Sequence, residues 1–289
     1  MDHIELRSYA KINLGLDVTG VLPNGYHTLK MIMQTVSLYD TLYFEKTDSP
    51  DIVLNTNIPD LPTDEHNLVY KAIMLFSDQY GIKSGVRCSI EKHIPVAAGL
   101  AGGSGNAAAA LKAMNALFDT GLSPEQLAVD GLKLGADVPY CLMGGTALAE
   151  GIGDILTHLP LPPLAKVLLV KPKVSVSTKE VYNALKLDEN TVHPDIDACI
   201  CAINEGSLKK LCDNLGNVLE DVTIQLHPVI SAIKHKMLEL GAAGSLMSGS
   251  GPTVFGLFKD ETKAKEAYDL FSSMPEYSDT TFLCDFNLN

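Results

Sequence analysis

The amino-acid sequence predicts an α+β protein in two parts, on three observations. Apolar and polar residues alternate over residues 4–18, 28–38, 41–45, 52–55 and 86–94, the period of strands in a sheet. Elsewhere apolar residues return at intervals of three and four, the period of helices packed by one face. The proline-dense run Leu159, Pro160, Leu161, Pro162 and Pro163 breaks the pattern once. It sets the expected parts at residues 1–160 and 161–289, and 289 residues suit two domains.

From the amino end, residues 4–18 read as strands interrupted near Ala10 and Lys11, and Asn24-Gly25 is a hairpin-turn pair. Asn67 is placed to cap a helix whose apolar face is Leu68, Ala72, Ile73, Leu75 and Phe76. The strand at 86–94 runs into a glycine-dense loop over residues 95–105. Ala107, Leu111, Met114 and Phe118 then recur at helical spacing, so that loop opens a helix. Ser123, Pro124 and Gln126 combine an N-cap, a proline at the first helical position and a capping-box partner. In the second part, helices are expected over 178–186, 196–203, 208–214, 229–240 and 261–271. Strands are expected over 165–170, near 246, and over 254–258 and 281–286, with a second glycine cluster at 248–251.

Charge excludes some partners. Asp and Glu number 35 against 22 Lys and Arg, a net charge of −13, which repels nucleic acid and anionic lipid. Lys209-Lys210 and Lys234-His235-Lys236 are too short to offset it, so no nucleic-acid partner is expected. The longest strongly apolar stretch, residues 167–170, falls far below the ~18 residues of a membrane span, so no membrane partner is expected either. Residues 1–16 alternate and lack the apolar core of a secretory leader, so the six cysteines are expected to be reduced thiols in the cytoplasm. Cys199-x-Cys201 without a nearby histidine is a poor zinc site.

The segment 95–105 is the sharpest chemical feature. Gly99, Gly102, Gly103 and Gly105 leave the backbone bare where a ligand must come close. The helix start that follows points free N–H groups and its positive dipole end at that ligand, which suits phosphate. No Gly-Lys-Ser/Thr closes the loop, and it is not a G-x-G-x-x-G turn in a βαβ unit. A glycine-lined structural loop is the plain alternative. The second cluster, residues 244–252, reads equally as a turn or a ligand clamp, and two such loops suggest a phosphorylated ligand between them. Lys11 lies in an otherwise apolar strand, where a lysine ordinarily faces water. Asp137, before Val138-Pro139, ordinarily caps a helix, and Tyr26-His27 ordinarily lie on the surface of a hairpin.

Taken together these residues resemble the GHMP-type small-molecule kinases, the family of galactokinase, homoserine kinase and mevalonate kinase. Three blocks stand in that family's order over nearly the whole chain: residues 10–14 (Ala-Lys-Ile-Asn-Leu), residues 95–104, and residues 249–253 (Gly-Ser-Gly-Pro-Thr). Residues 11–16, 24–29 and 134–139 narrow the match to members whose acceptor is a cytidine diphosphate-linked methylerythritol. The resemblance implies a two-domain fold, with an N-terminal domain like domain 2 of ribosomal protein S5 and a ferredoxin-like C-terminal domain. It implies ATP with Mg2+, and phosphorylation of the acceptor's 2-hydroxyl in non-mevalonate isoprenoid precursor synthesis. By the same resemblance Lys11 and Asp137 would be catalytic. Pro95, Val96, Ala97, Ala98, Gly99, Leu100, Ala101, Gly102, Gly103, Ser104 and Gly105 would cradle the ATP phosphates, with Asn67 and Leu68 bordering adenine. Asn13 and His27 would contact the acceptor, Tyr26 and Tyr182 would sandwich cytosine, and Thr178 would lie near that ring. Similar enzymes carry more glycines and a second serine where Ala97, Ala98, Ala101 and Gly105 stand here, and the magnesium ligand is left open. A kinase for homoserine, mevalonate or a sugar, or a silent nucleotide-binding regulator, are the alternatives. The expected assembly is a monomer or weak homodimer.

Overall fold

The computed structural model describes residues 1–23 and 25–287, so Asn24 of the expected turn lies outside the described residues. The chain divides into two compact units that interleave along the sequence. One holds Met1–Ala10, Leu38–Val96 and Ala101–Gly144; the other holds Lys11–Ser37, Ala97–Leu100 and Gly145–Asn289.

Two long strands begin the chain, β1 (His3–Val21) and β2 (His27–Thr47). The interruption expected at Ala10 and Lys11 does not occur. Ala10, Ile12, Leu14, Leu16 and Val18 are buried on one face of β1, and Lys11, Asn13 and Asp17 on the other. The period of two continues while the second face turns polar, so the apolar pattern breaks although the strand does not. β2 likewise joins the two runs expected at 28–38 and 41–45, because Asp40 between them is a buried strand residue and not a turn.

In the first unit, residues 41–47 of β2 pair antiparallel with β4 (Gly85–Glu91), and β4 pairs in parallel with β3 (Ile52–Thr56). Helices α1 (Leu68–Tyr80) and α2 (Gly102–Leu117) pack against each other. Val69, Ala72, Ile73 and Phe76 of α1 join Ala107, Leu111 and Met114 of α2 and Phe44, Val86 and Ile90 of the strands in one core. α3 (Pro124–Leu132) begins with the expected capping box: Ser123 Oγ accepts from Gln126 N–H, and Gln126 Oε1 from Ser123 N–H. A short α4 (Asp137–Met143) follows, which periodicity does not predict over seven residues.

In the second unit, residues 31–34 of β2 pair with β5 (Thr146–Glu150), which pairs with β6 (Ile155–His158). A separate antiparallel sheet has the order β11 (Thr281–Asp285), β7 (Lys166–Val170), β10 (Val254–Phe258), β9 (Gly244–Met247). Between β7 and β9 run α5 (Thr178–Ala184), α6 (Ile196–Asn204), α7 (Leu208–Asp213), α8 (Glu220–Leu226) and α9 (Val229–Glu239), and α10 (Glu261–Ser273) connects β10 to β11. The two-residue β8 (Gly216–Asn217) pairs in parallel with Gly15 and Leu16 of β1. Numbered along the chain, the four sheet strands lie fourth, first, third, second, the order of a ferredoxin-like β-α-β-β-α-β layer. β7 and β10 are buried nearly throughout because this sheet carries α9 and α10. No helix among the described residues is long and apolar enough to cross a membrane.

Candidate active site

The first unit contains Asn67, Leu68, Pro95, Val96, residues 101–105 and Asp137. Asn67 caps α1: its Oδ1 accepts from Val69 N–H at 2.9 Å, and its Nδ2 donates to the carbonyl of Pro62 at 2.7 Å. Gly102, Gly103, Ser104 and Gly105, expected in a loop, form the first turn of α2, because Gly105 N–H already reaches the carbonyl of Ala101 at 2.8 Å. The cap position is Ala101, which offers no side-chain acceptor to the first N–H groups of the helix. Those donors and the positive end of a 16-residue helix make a site for an anion. A Cβ on Gly103 would lie 3.5 Å from Leu68 Cδ1, so the cap of α1 and the start of α2 meet. Asp137 does not cap α4; it is the first helical residue, after Ala136. Half-buried, its carboxylate accepts no hydrogen bond within its unit.

The second unit contains Lys11, Asn13, Tyr26, His27, residues 97–100, Thr178 and Tyr182. Lys11, where a lone strand lysine ordinarily faces water but the resemblance implies a catalytic one, is buried, and its ammonium donates to Asn13 Oδ1 at 2.7 Å. Residues i and i+2 of a strand share a face, which places both side chains together. Lys11 N–H also donates to the carbonyl of Leu100 at 3.1 Å, tying β1 to the glycine segment. His27 and Tyr182 stand ring to ring at 4.9 Å, while Tyr26 is 60% exposed.

The second glycine cluster joins these pieces within the unit. Ser248 Oγ donates to the carbonyl of Gly99 at 3.0 Å, and Ser250 Oγ shares a hydrogen bond with Thr178 Oγ1 at 2.8 Å. Gly99 runs at φ +73°, where an added Cβ would lie 2.3 Å from the Ser248 carbonyl oxygen. Ala97 and Ala101 adopt the same left-handed conformation, at φ 52° and 55°. Asn217 fixes the cluster in turn, its Nδ2 donating to the carbonyls of Met247 and Gly249 at 2.9 and 2.8 Å. Sequence reasoning singled out the cluster but not Asn217, whose spacing from it is 30 residues or more.

The family model of the GHMP kinases N terminal domain matches residues 67–145, and that of the GHMP kinases C terminal matches residues 199–274. A Lachnoclostridium phytofermentans protein named 4-diphosphocytidyl-2-C-methyl-D-erythritol kinase is 54% identical over 286 residues, covering 99% of this chain and 98% of its own. The chain belongs to the GHMP kinase family. A second relative of that name, from Lachnospira eligens, is 52% identical over 90% of this GHMP kinase and 91% of itself. Among solved structures, a 4-(cytidine 5'-diphospho)-2C-methyl-D-erythritol kinase superposes with a TM-score of 0.82 at 32% identity, covering 98% of this chain and 99% of its own. A homoserine kinase from Cytophaga hutchinsonii reaches 0.81 at 20% identity, over 100% of this chain and 96% of its own, and shares the fold. In this GHMP kinase the matched N-terminal span holds α1, the glycine segment, α2 and Asp137, and the C-terminal span holds β9, β10 and the second cluster.

Proposed function

We propose that the chain transfers the γ-phosphoryl group of ATP to the 2-hydroxyl of 4-diphosphocytidyl-2-C-methyl-D-erythritol. The observation that carries this reading is the 54% identity, over 99% of the chain, to a kinase named for that acceptor. The uncapped start of α2 supports it, since backbone N–H groups can hold phosphate oxygens without a basic surface. Glycine and alanine at residues 97–103, apart from Leu100, keep that approach clear.

In the transfer, the acceptor oxygen bonds to phosphorus, the bond from phosphorus to the β–γ bridging oxygen breaks, and ADP leaves. Asp137 takes the hydroxyl proton or aligns it, and its uncommitted carboxylate suits that work. Lys11 stabilises charge on the phosphoryl group; its ammonium is buried with a neutral amide for partner, which leaves its charge for an anion. Magnesium would arrive with the phosphate oxygens, and Ser104 is the one side-chain oxygen that residues 95–105 could add. Asn13 and His27 orient the acceptor, with Thr178, Tyr26 and Tyr182 around cytosine. The ring contact of His27 with Tyr182 supports an aromatic wall for a nucleobase, which homoserine or mevalonate would not use. The halves 1–160 and 161–289 remain our proposal for the domain boundary, supported by the two family-model spans lying on either side of it. A reducing cytoplasm fits the six cysteines, none of which forms a disulfide among the described residues.

ATP consumption with a panel of alcohols tests the reading. The cytidylylated methylerythritol should outrun plain methylerythritol phosphate, homoserine and mevalonate. Asp137→Asn should lower kcat by about 10²–10⁴-fold with little change in ATP affinity. Equal turnover of cytidylylated and plain acceptors would refute the nucleobase pocket.

A further inference from the structure

We propose that Asp40 is a positioning residue for the nucleotide phosphates, holding the strand that leads into the glycine segment against the helix that leads out of it. The proposal rests on the kinase reading above. Asp40 lies on β2, fully buried in the first unit. Its Oδ1 accepts the backbone N–H groups of His93 and Ile94 at 2.7 and 2.8 Å. Its Oδ2 accepts from Asn106 Nδ2 at 2.8 Å and from the Lys92 ammonium. His93 and Ile94 immediately precede Pro95, and Asn106 is the fifth residue of α2. One carboxylate therefore holds both ends of the segment that would cradle phosphate.

The segment itself has little with which to hold its shape. Gly99, Gly102, Gly103 and Gly105 make up four of the eleven residues 95–105, and glycine backbone is the most costly in entropy to order. Donors aimed in advance bind a charged group better than donors that must first be ordered. The anchors must come from outside the segment: Lys11 N–H and Ser248 Oγ hold the carbonyls of Leu100 and Gly99 within it, and Asp40 holds its two ends with both oxygens used. β4 stops at Glu91 and not at residue 94 because Lys92 N–H turns to Asn57 Oδ1 and those of His93 and Ile94 to this carboxylate, side-chain acceptors in place of a neighbouring strand's carbonyls. Lys92 also lies against the helix start, its Nζ 2.8 Å from where a Cβ of Gly102 would be. Paired with Asp40, that ammonium leaves no unbalanced charge beside the phosphate donors.

Calorimetric binding of MgATP to the full chain, with steady-state KM for ATP and for the acceptor, tests this. Asp40→Asn keeps one acceptor oxygen but turns an amide donor toward Lys92 and Asn106, so ATP should bind about tenfold or more weakly while the acceptor KM stays within about twofold. Adding Lys92→Met should restore much of the ATP affinity, because the ammonium is gone and the Asn106 amide can turn its oxygen to meet the donor of the substituted side chain. Should Asp40→Asn fail to fold, Asn106→Ala removes a single link and should weaken ATP at least about threefold, with the acceptor KM unchanged. ATP affinity within twofold of wild type in the folded variants, whatever their melting temperature, would overturn the role of Asp40. Wild-type protein that binds no MgATP would overturn the kinase reading, and this role with it.

Discussion

At Gly99 the backbone runs at φ +73°, and an added Cβ would lie 2.3 Å from the Ser248 carbonyl oxygen. Two separate costs therefore meet any side chain there: the left-handed conformation, about 1–2 kcal/mol for an L-residue, and a clash with backbone that cannot swing aside. Ala101 bears only the first cost, and it is present in the wild-type protein. Gly99→Ala should lower unfolding free energy by more than about 2 kcal/mol, whereas Ala101→Gly should raise it slightly, the conformational gain exceeding the roughly 0.5–1 kcal/mol that glycine costs in unfolded-state entropy. Urea unfolding of both variants checks the contrast, and a stable Gly99→Ala would show that the Ser248 contact yields.

At the scale of elements, the helix starts differ in what satisfies their N–H groups. α1, α3, α5, α6, α7 and α10 have a side-chain cap, from Asn67, Ser123, Ser177, Asp195, Ser207 and Asp260. α2, α4, α8 and α9 have none, and of these α2 is the one that follows the glycine segment. A cap would take the donors that a phosphate needs. Where no ligand is due, removal of a cap should cost stability only: Ser123→Ala should lose about 1 kcal/mol, with a range of about 0.5–2, and leave ATP binding as it was. A shift of the urea midpoint with unchanged slope and unchanged ATP affinity is the expected record. An affinity change would mean that α3 bears on the nucleotide.

For the whole molecule, burial pushes the Cys199 and Cys212 thiols up from 9.0 to about 12. Between those limits the folded chain keeps protons that the unfolded chain has lost, so their contribution is full below pH 9 and falls as pH rises toward 12. Lys166, hydrogen-bonded to Asp285 and Glu261, is held above its ordinary 10.5 and adds to the loss above that pH. Lys92 acts in the opposite sense: burial, exceeding the attraction of Asp40, holds it below 10.5, so its own contribution rises as pH climbs to that value. Lys112 and Lys171, held below their ordinary value by burial, act with Lys92. Cys88, Tyr80, Tyr277, Lys30 and Lys210 are held above theirs and act with the two thiols and Lys166. The raised groups outnumber the lowered ones and predict a net fall. Urea midpoints under reductant at about pH 8, 9.5 and 11 should decline in order, and less so in a Cys199→Ala, Cys212→Ala chain. A flat series would contradict the direction.

The sequence by itself determined what is written among near neighbours. The capping box at Ser123, the Asn67 cap, the glycine segment before a helix and the strand and helix periods all lie within a few residues, and local hydrogen bonds read them directly. Its three ordered blocks also carried the family. Tertiary structure alone decided what depends on distant partners. Lys11 is buried because the second face of β1 is covered too. β4 ends early because Asn57, 35 residues before Lys92, and Asp40, 53 residues before His93, take the next N–H groups. Gly99 must be glycine because Ser248 lies against it across 149 residues of chain. The periodic pattern of a strand records which face is apolar, but nothing in it records which remote carboxylate or carbonyl will satisfy a backbone group, since that is settled only when the chain closes on itself.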